Sequence, residues 1–297
     1  MRSIHSYLVS GTDLLLLLVA LIWGSNFAVV KQTLSEMLPL AFNALRFSLA
    51  SLLLSAILLF SEGGFLLNKK DIKGILLLGI VGHTFYQLLF INGIARTTAS
   101  LSALMMATNP VFVALIGLQA RREKPSVRLL LGASLSLVGV YVLIYGSRSG
   151  FSLSETHVFG TVLVLLASLC WAAYTVFSKP YLTRYSPLRL TATSAVLGTI
   201  ILDLVAIPSL FAQEWVRVSV AGWAGFGYSF GLAIVTAYVL WDIGIQRVGP
   251  GRTAIYENLT PVVAAFIAYL FLGEILTGFQ IAGAALVFLG IYLTRKT

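Results

Sequence analysis

Residues 23–31 read Trp-Gly-Ser-Asn-Phe-Ala-Val-Val-Lys, and residues 171–179 read Trp-Ala-Ala-Tyr-Thr-Val-Phe-Ser-Lys. Each stretch opens on tryptophan and closes on lysine eight positions later, and the two lie 148 positions apart. The same offset carries Pro39 onto Pro187. Further along, an offset of 151 carries Gly93 onto Gly244, Arg96 onto Arg247, Ala103 onto Ala254, Pro110 onto Pro261, Glu123 onto Glu274, Gly132 onto Gly283, Gly139 onto Gly290 and Tyr141 onto Tyr292. A three-residue insertion reconciles the two offsets. An unbroken order of Gly, Pro, Arg and Glu matches is the mark of an internal repeat. It divides the chain into residues 1–146 and 147–297.

Both stretches lie in long apolar runs. Of 297 residues, 58% are hydrophobic and 10% charged, and the mean hydropathy is +0.93. A soluble domain carries roughly 25% charged residues, so lipid must cover most of this surface. A bilayer core needs about 20 apolar residues per helix. The runs fall at 13–31, 38–61, 72–95, 97–119, 127–145, 158–178, 187–210, 220–246, 251–272 and 278–295. They predict an all-α membrane protein of ten transmembrane helices, five in each half, with the lipid bilayer as its main partner. The first run ends without a signal-peptidase-like site, so it reads as a retained helix. Cys170 stands alone within an apolar run, which excludes an internal disulfide and a cysteine metal cluster.

Charge sets the orientation. The net charge is +9, from 20 Lys and Arg against 11 Asp and Glu. In a soluble protein this balance suggests nucleic acid. Here cytoplasmic loops, which collect Lys and Arg, explain it. With the N-terminus in the cytoplasm, fifteen of the 20 basic residues fall on the inner side. Only Lys31, Arg96, Arg148 and Arg217 fall outside, and Arg46 lies within a helix. Both termini are therefore expected in the cytoplasm. Because each half has an odd number of crossings, the second must run in the opposite sense. Lys31 falls outside and Lys179 inside; Glu123 falls inside and Glu274 outside. Two inverted-topology five-helix repeats are a transporter architecture, with the substrate site near the midplane between them.

The repeat ends carry further signatures. The second half closes with Asn258-Leu-Thr-Pro261, then Leu272-Gly-Glu274, Thr277, Gln280, Gly283 and Gly290. The first half repeats Asn109-Pro110, Glu123, Gly132 and Gly139 more loosely, and adds Leu45-Arg46-Phe47 and Trp23-Gly24. As an ordered set these residues resemble the drug/metabolite transporter superfamily, specifically its ten-helix EamA-type exporters. The likeness covers nearly the whole chain and is greatest to bacterial exporters of aromatic and other amino acids. It implies outward movement of amino acids and related small metabolites across the inner membrane, by a transporter rather than an enzyme. Export of cationic drugs or other metabolites is the alternative within the superfamily. One departure stands out: Gln119-Ala-Arg121-Arg122-Glu123 replaces the usual Leu-Gly-Glu of the first half.

Polar groups within hydrocarbon are costly and mark the bundle interior or a wet cavity. His83, Tyr86 and Gln87 share one helix face at i, i+3 and i+4. They are candidate substrate contacts, and His83 is also a candidate for coupling; packing alone explains a lone histidine equally well. Trp23 and Trp171 sit near the middle of their helices, where tryptophan is unusual. Trp23 shares a face with Asn26 and Phe27, and Trp171 with Tyr174 and Thr175. An aromatic lining of this kind suits amino-acid side chains, and so does ordinary packing. Tyr238 and Tyr256 join this candidate set. Asn109-Pro110 and Thr260-Pro261 are read as mid-helix kinks, because proline removes a backbone hydrogen bond; they frame the pathway or gate it, and Asn109 is also a candidate substrate contact. Glu257 is a candidate for receiving a substrate amine or a proton. Asp242 is read likewise, or as a partner of Arg247. Arg46, about 12 Å into its helix, either binds a carboxylate or is held structurally, by pairing or by snorkelling. Asp203 is similarly two-sided. Trp215 and Trp223 read as belt anchors.

Rival chemistries find little support. No metal-ligand pair, nucleophile elbow or glycine-rich phosphate loop occurs, so neither cofactor nor metal is expected, and a membrane enzyme is the remote alternative. Lys31 and Lys179 are terminal to their helices, which excludes a retinal Schiff base.

Overall fold

The computed structural model describes residues 10–120, 127–145, 155–272 and 277–295. The repeat-matched Glu123 and Glu274, and the loop cations Arg121, Arg122, Lys124 and Arg148, lie outside the described residues. Throughout the described chain the regular structure is helical. Among the described residues, seven helices are long and apolar enough to cross a membrane. These include α1 (Gly11–Thr33), α2 (Pro39–Glu62) and α3 (Lys69–Arg96). The expected fourth run is broken into α4 (Ala99–Met106) and α5 (Asn109–Gln119). Then follow α6 (Val127–Tyr145), α7 (Glu155–Leu182), α8 (Pro187–Ala212) and α9 (Val220–Val248). The next stretch divides into α10 (Pro250–Ala254), a 3-10 turn (Ile255–Leu259) and α11 (Thr260–Leu272), and α12 (Gly278–Arg295) ends the described chain.

Polar caps punctuate the apolar runs. Ser10 and Asp13 close a reciprocal capping box at the start of α1. Asn68, Ser186 and Ser219 accept first-turn backbone N–H groups of α3, α8 and α9. Pro39 and Pro187, the repeat-matched prolines, each begin a helix, where the missing N–H costs nothing. Gly63 ends α2 in the left-handed conformation at φ 74°.

The prolines read as kinks sit otherwise. Pro110 and Pro261 each fall in the first turn after a break, at the starts of α5 and α11. A proline clashes with the carbonyl of the preceding turn, and here the helix restarts rather than bends.

Packing pairs the two halves. α1 packs on α9 and α11, whereas α7 packs on α3 and α5; α2 lies on α8, and α6 on α12. Both α3 and α9 carry a π-helical turn, at Ile80–Phe85 and Gly231–Thr236, offset by 151 residues. Several residues touch their own repeat counterpart. Trp23 meets Trp171 at 5.6 Å between ring centroids. Ser51 bonds Thr199 at 2.9 Å, Gln87 bonds Tyr238 at 2.8 Å, and Ser136 bonds the Val287 carbonyl at 3.3 Å.

The matched lysines close the pattern. Lys31 Nζ donates to the carbonyls of Ile94 (2.9 Å), Ala95 (3.2 Å) and Thr97 (2.7 Å) at the end of α3. Lys179 Nζ donates to those of Ile245 and Gln246, both at 2.9 Å, near the end of α9. The last carbonyls of a helix lack partners within it and favour a cation, so each lysine fastens one helix to another.

Candidate functional site

The site grows from Trp23. Its ring meets those of Trp171 (5.6 Å), Tyr238 (6.0 Å) and Trp241 (5.0 Å). Its Nε1 donates to the Ala233 carbonyl at 3.0 Å. Ala233 belongs to the π turn of α9, whose widened backbone frees carbonyls for such partners. Trp171, 1% exposed, stacks on Tyr174 at 5.1 Å and 11° and also lies 5.1 Å from Tyr86.

Beside these rings is a cavity of about 30 Å³. Trp23, Phe27, Tyr86 and Phe90 give it aromatic walls, while Tyr238, Ala233 and Ile234 enter from the second half. Asn26, Gln87 and Thr260 supply neutral polar groups, Arg46 a cation and Glu257 a carboxyl; Met106 completes the lining. A volume of this size suits water alone, so any larger occupant must part the aromatic walls.

Arg46 is 2% exposed, so it does not snorkel. Its Nε donates to Asn43 Oδ1 (3.0 Å), one terminal nitrogen to Ser229 Oγ (2.7 Å) and the other to Gln87 Oε1 (2.7 Å). Its guanidinium carbon stands 4.9 Å from the centre of the Phe42 ring and 5.6 Å from that of Phe47. Every partner is neutral, and among the described residues no salt bridge involves Arg46. The paired alternative is therefore set aside as well.

Glu257, 4% exposed, sits in the 3-10 turn between α10 and α11. Its Oε2 accepts from Asn109 Nδ2 at 2.6 Å. That bond joins the two helix breaks, since Asn109 starts α5. Asn26 Oδ1 and Thr260 Oγ1 have no hydrogen-bond partner among the described residues, although both are buried.

The remaining candidates stand behind this lining. His83 lies in the π turn of α3, stacked on Tyr238 at 5.6 Å and 24°. Its Nε2 bonds Ser194 Oγ at 2.9 Å. The Ser194 hydroxyl also lies 2.8 Å from the Leu190 carbonyl, and His83 Nδ1 has no described partner. Tyr174 and Thr191 donate to Asp242 Oδ2 at 2.9 and 2.7 Å. Hydroxyls, rather than the suggested Arg247, therefore hold Asp242. Tyr256 donates to Asp13 at the start of α1. Asp203 accepts from Ser48 at 2.7 Å on the α2–α8 face, apart from the cavity.

Sequence reasoning missed Phe90, Met106, Ala233 and Ile234, and named Thr260 only as part of a kink. Helical spacing marks two of them: Phe90 follows Tyr86 by four residues, and Thr260 follows Glu257 by three. The π turn that brings Ala233 and Ile234 inward has no comparable sequence signal.

Comparison with known proteins identifies the family. A model of the EamA-like transporter family matches twice, at residues 10–145 and 158–296. An uncharacterized transporter of Archaeoglobus fulgidus is 33% identical, covering 96% of this chain and 97% of its own length. Proteins named probable amino-acid metabolite efflux pump, from Salmonella typhimurium and Escherichia coli, are each 29% identical, covering 94% of this chain and 93% of their own. A crystal structure of a protein 17% identical superimposes with a TM-score of 0.78, covering 95% of this chain and 96% of that one. At that identity the likeness concerns the fold. With the family unit matched twice across nearly its whole length, the chain belongs to the EamA-like transporter family and is a membrane transporter rather than an enzyme.

Proposed function

We propose that this protein exports amino acids and related small metabolites across the inner membrane by alternating access, through a cavity between two inverted five-helix repeats. The carrying observation is the buried aromatic-polar cavity, whose walls come from both family-matched halves. Flat rings offer apolar area to an amino-acid side chain, and the polar groups fix its orientation. The names of the Salmonella and Escherichia relatives point the same way. Arg46 disfavours a cationic dye as cargo, because like charges repel strongly in a medium of low dielectric.

The repeat reading places ten crossings in the bilayer with both termini in the cytoplasm. It is supported by the paired π turns, by the contacts between counterpart residues and by the two lysine caps. In this topology Lys31 closes the outer end of the pathway and Lys179 the inner end. Alternating access releases one cap while the other holds. Both caps are made in this structure, which on this reading corresponds to a form closed at both ends.

The test is counterflow in proteoliposomes with a panel of radiolabelled amino acids, nucleotide sugars and cationic dyes. Amino acids exchange faster than in protein-free vesicles and saturate with concentration. Amino-acid flux equal to that of protein-free vesicles refutes the proposal.

A further inference from the structure

We infer that the cavity selects α-amino acids by both charges at once, with Arg46 holding the carboxylate and Glu257 the ammonium. This rests on the amino-acid reading and specifies which chemical groups the cargo must carry.

Begin with the cation. A guanidinium stays protonated under any physiological condition, so burial cannot neutralise it. Arg46 is buried against neutral oxygens and aromatic faces. A buried charge with no counter-charge is costly within a membrane and marks a functional group whose partner is to be named. Packing symmetry does not demand it, for the repeat counterpart of Arg46 is Ser194. Three of its five N–H groups are engaged by the described bonds, which leaves two for a ligand carboxylate. Tyr238 stands beside it: its hydroxyl accepts from Gln87 Nε2 at 2.8 Å, and its own proton is available to the same carboxylate.

The opposite pole has complementary chemistry. An ammonium presents three donors and no acceptor. The cavity offers three oxygens suited to it: the Glu257 carboxylate, Thr260 Oγ1 and Asn26 Oδ1. The last two are buried and have no described partner of their own. Asn109 fixes the Glu257 carboxyl from the opposite half. Among the described residues Arg46 and Glu257 make no ion pair with each other, although they line one cavity. A zwitterion satisfies both poles and leaves the site neutral. A simple amine leaves Arg46 uncompensated, and a simple acid does the same to Glu257.

The experiment uses the full chain in liposomes preloaded with phenylalanine, with external radiolabelled phenylalanine. Unlabelled phenylalanine, tyrosine and leucine are expected to compete. N-acetylphenylalanine, phenylalaninamide, phenethylamine and hydrocinnamate, each lacking one pole, are expected to compete at least about tenfold less well, a difference of about 1.4 kcal/mol. In Arg46→Gln the gap between phenylalanine and phenethylamine closes; in Glu257→Gln the gap to hydrocinnamate closes. The wild-type series needs no substitution, so misfolding of either variant leaves the inference testable. If amino acids exchange but the blocked analogues compete equally, the two-pole assignment is wrong and the amino-acid reading stands. If no amino acid exchanges, the amino-acid reading itself fails.

Discussion

Placing a methyl group on Gly198 tests the packing on which the whole site rests. A Cβ there lies 2.5 Å from the Gly79 carbonyl oxygen, 3.0 Å from its carbonyl carbon and 2.7 Å from His83 Cβ. These atoms belong to α3 or sit next to its backbone, so no rotamer change relieves the clash. Ordinary contact begins near 3.5 Å, so α3 and α8 must part by about 1 Å. Thr84 Oγ1 donates to the Gly198 carbonyl at 2.7 Å, and His83 bonds Ser194 at 2.9 Å. Opened by about 1 Å, both exceed hydrogen-bonding distance. Bonds of this kind are worth about 0.6 kcal/mol each in a membrane protein, and overpacking adds roughly 1–3 kcal/mol. Gly198→Ala should therefore cost about 2–4 kcal/mol. Gly227→Ala is the control, since its Cβ meets nothing within 4 Å; removing a helical glycine there gains about 0.5–1 kcal/mol. Reversible unfolding in mixed micelles, followed by tryptophan fluorescence, compares the two. Equal midpoints would refute the close α3–α8 packing and the placement of His83 with it.

The lysine caps make a paired prediction. Lys31→Met and Lys179→Met each lose about 1–2 kcal/mol of charge–helix interaction, and on the alternating-access reading they bias the cavity in opposite directions. In an Asn26→Cys, Cys170→Ser background, an impermeant thiol reagent labels the first faster from outside and the second faster from the cytoplasmic side; identical patterns count against the gates. Asp71→Asn removes the salt bridge from Arg184 (2.7 Å) and weakens the Tyr185 hydroxyl bond (2.6 Å). With Arg184 50% exposed, the loss is held to about 1 kcal/mol or less, and it shrinks in high salt on unfolding titration. Trp23→Phe keeps a ring but deletes the bond to Ala233. Counterflow should slow severalfold with a stability loss near 1 kcal/mol, and an unchanged rate would deny that bond a role in transport.

The helices were legible because hydrocarbon imposes length and apolarity on every segment. The predicted runs 38–61 and 187–210 became Pro39–Glu62 and Pro187–Ala212, with the matched prolines marking their starts. The broken fourth run was harder to see. Apolar character continues through Ala107, and Thr108 and Asn109 are too short a polar step for a hydropathy window to divide the run before Pro110. Helical spacing groups Tyr86 with Gln87, and both line the cavity. It also grouped His83 with them, whereas the intervening π turn alters the angular step and His83 stacks behind Tyr238. The environment of Arg46 was beyond sequence reading for a different reason. Asn43 is near in the chain, but Ser229 lies 183 residues away, so nothing local distinguishes its neutral cage from an ion pair.

The repeat that discloses the scaffold also shows where to look for chemistry. Positions common to both halves are mechanical: the glycines that let helices touch, the prolines that start them, the lysines that cap them. Trp23 and Trp171 are the shared aromatic pair at the centre. The ionic groups of the cavity are unshared. Arg46 answers to Ser194, and Glu257 answers to Met106, which lines the same cavity without charge. Asn26 answers to Tyr174. A perfectly symmetric site would present the same charge twice, and like charges buried together repel. A dipolar cargo instead requires opposite charges at the two ends of one cavity. On the amino-acid reading, divergence at these few positions is what turns a duplicated helical frame into an oriented binding site.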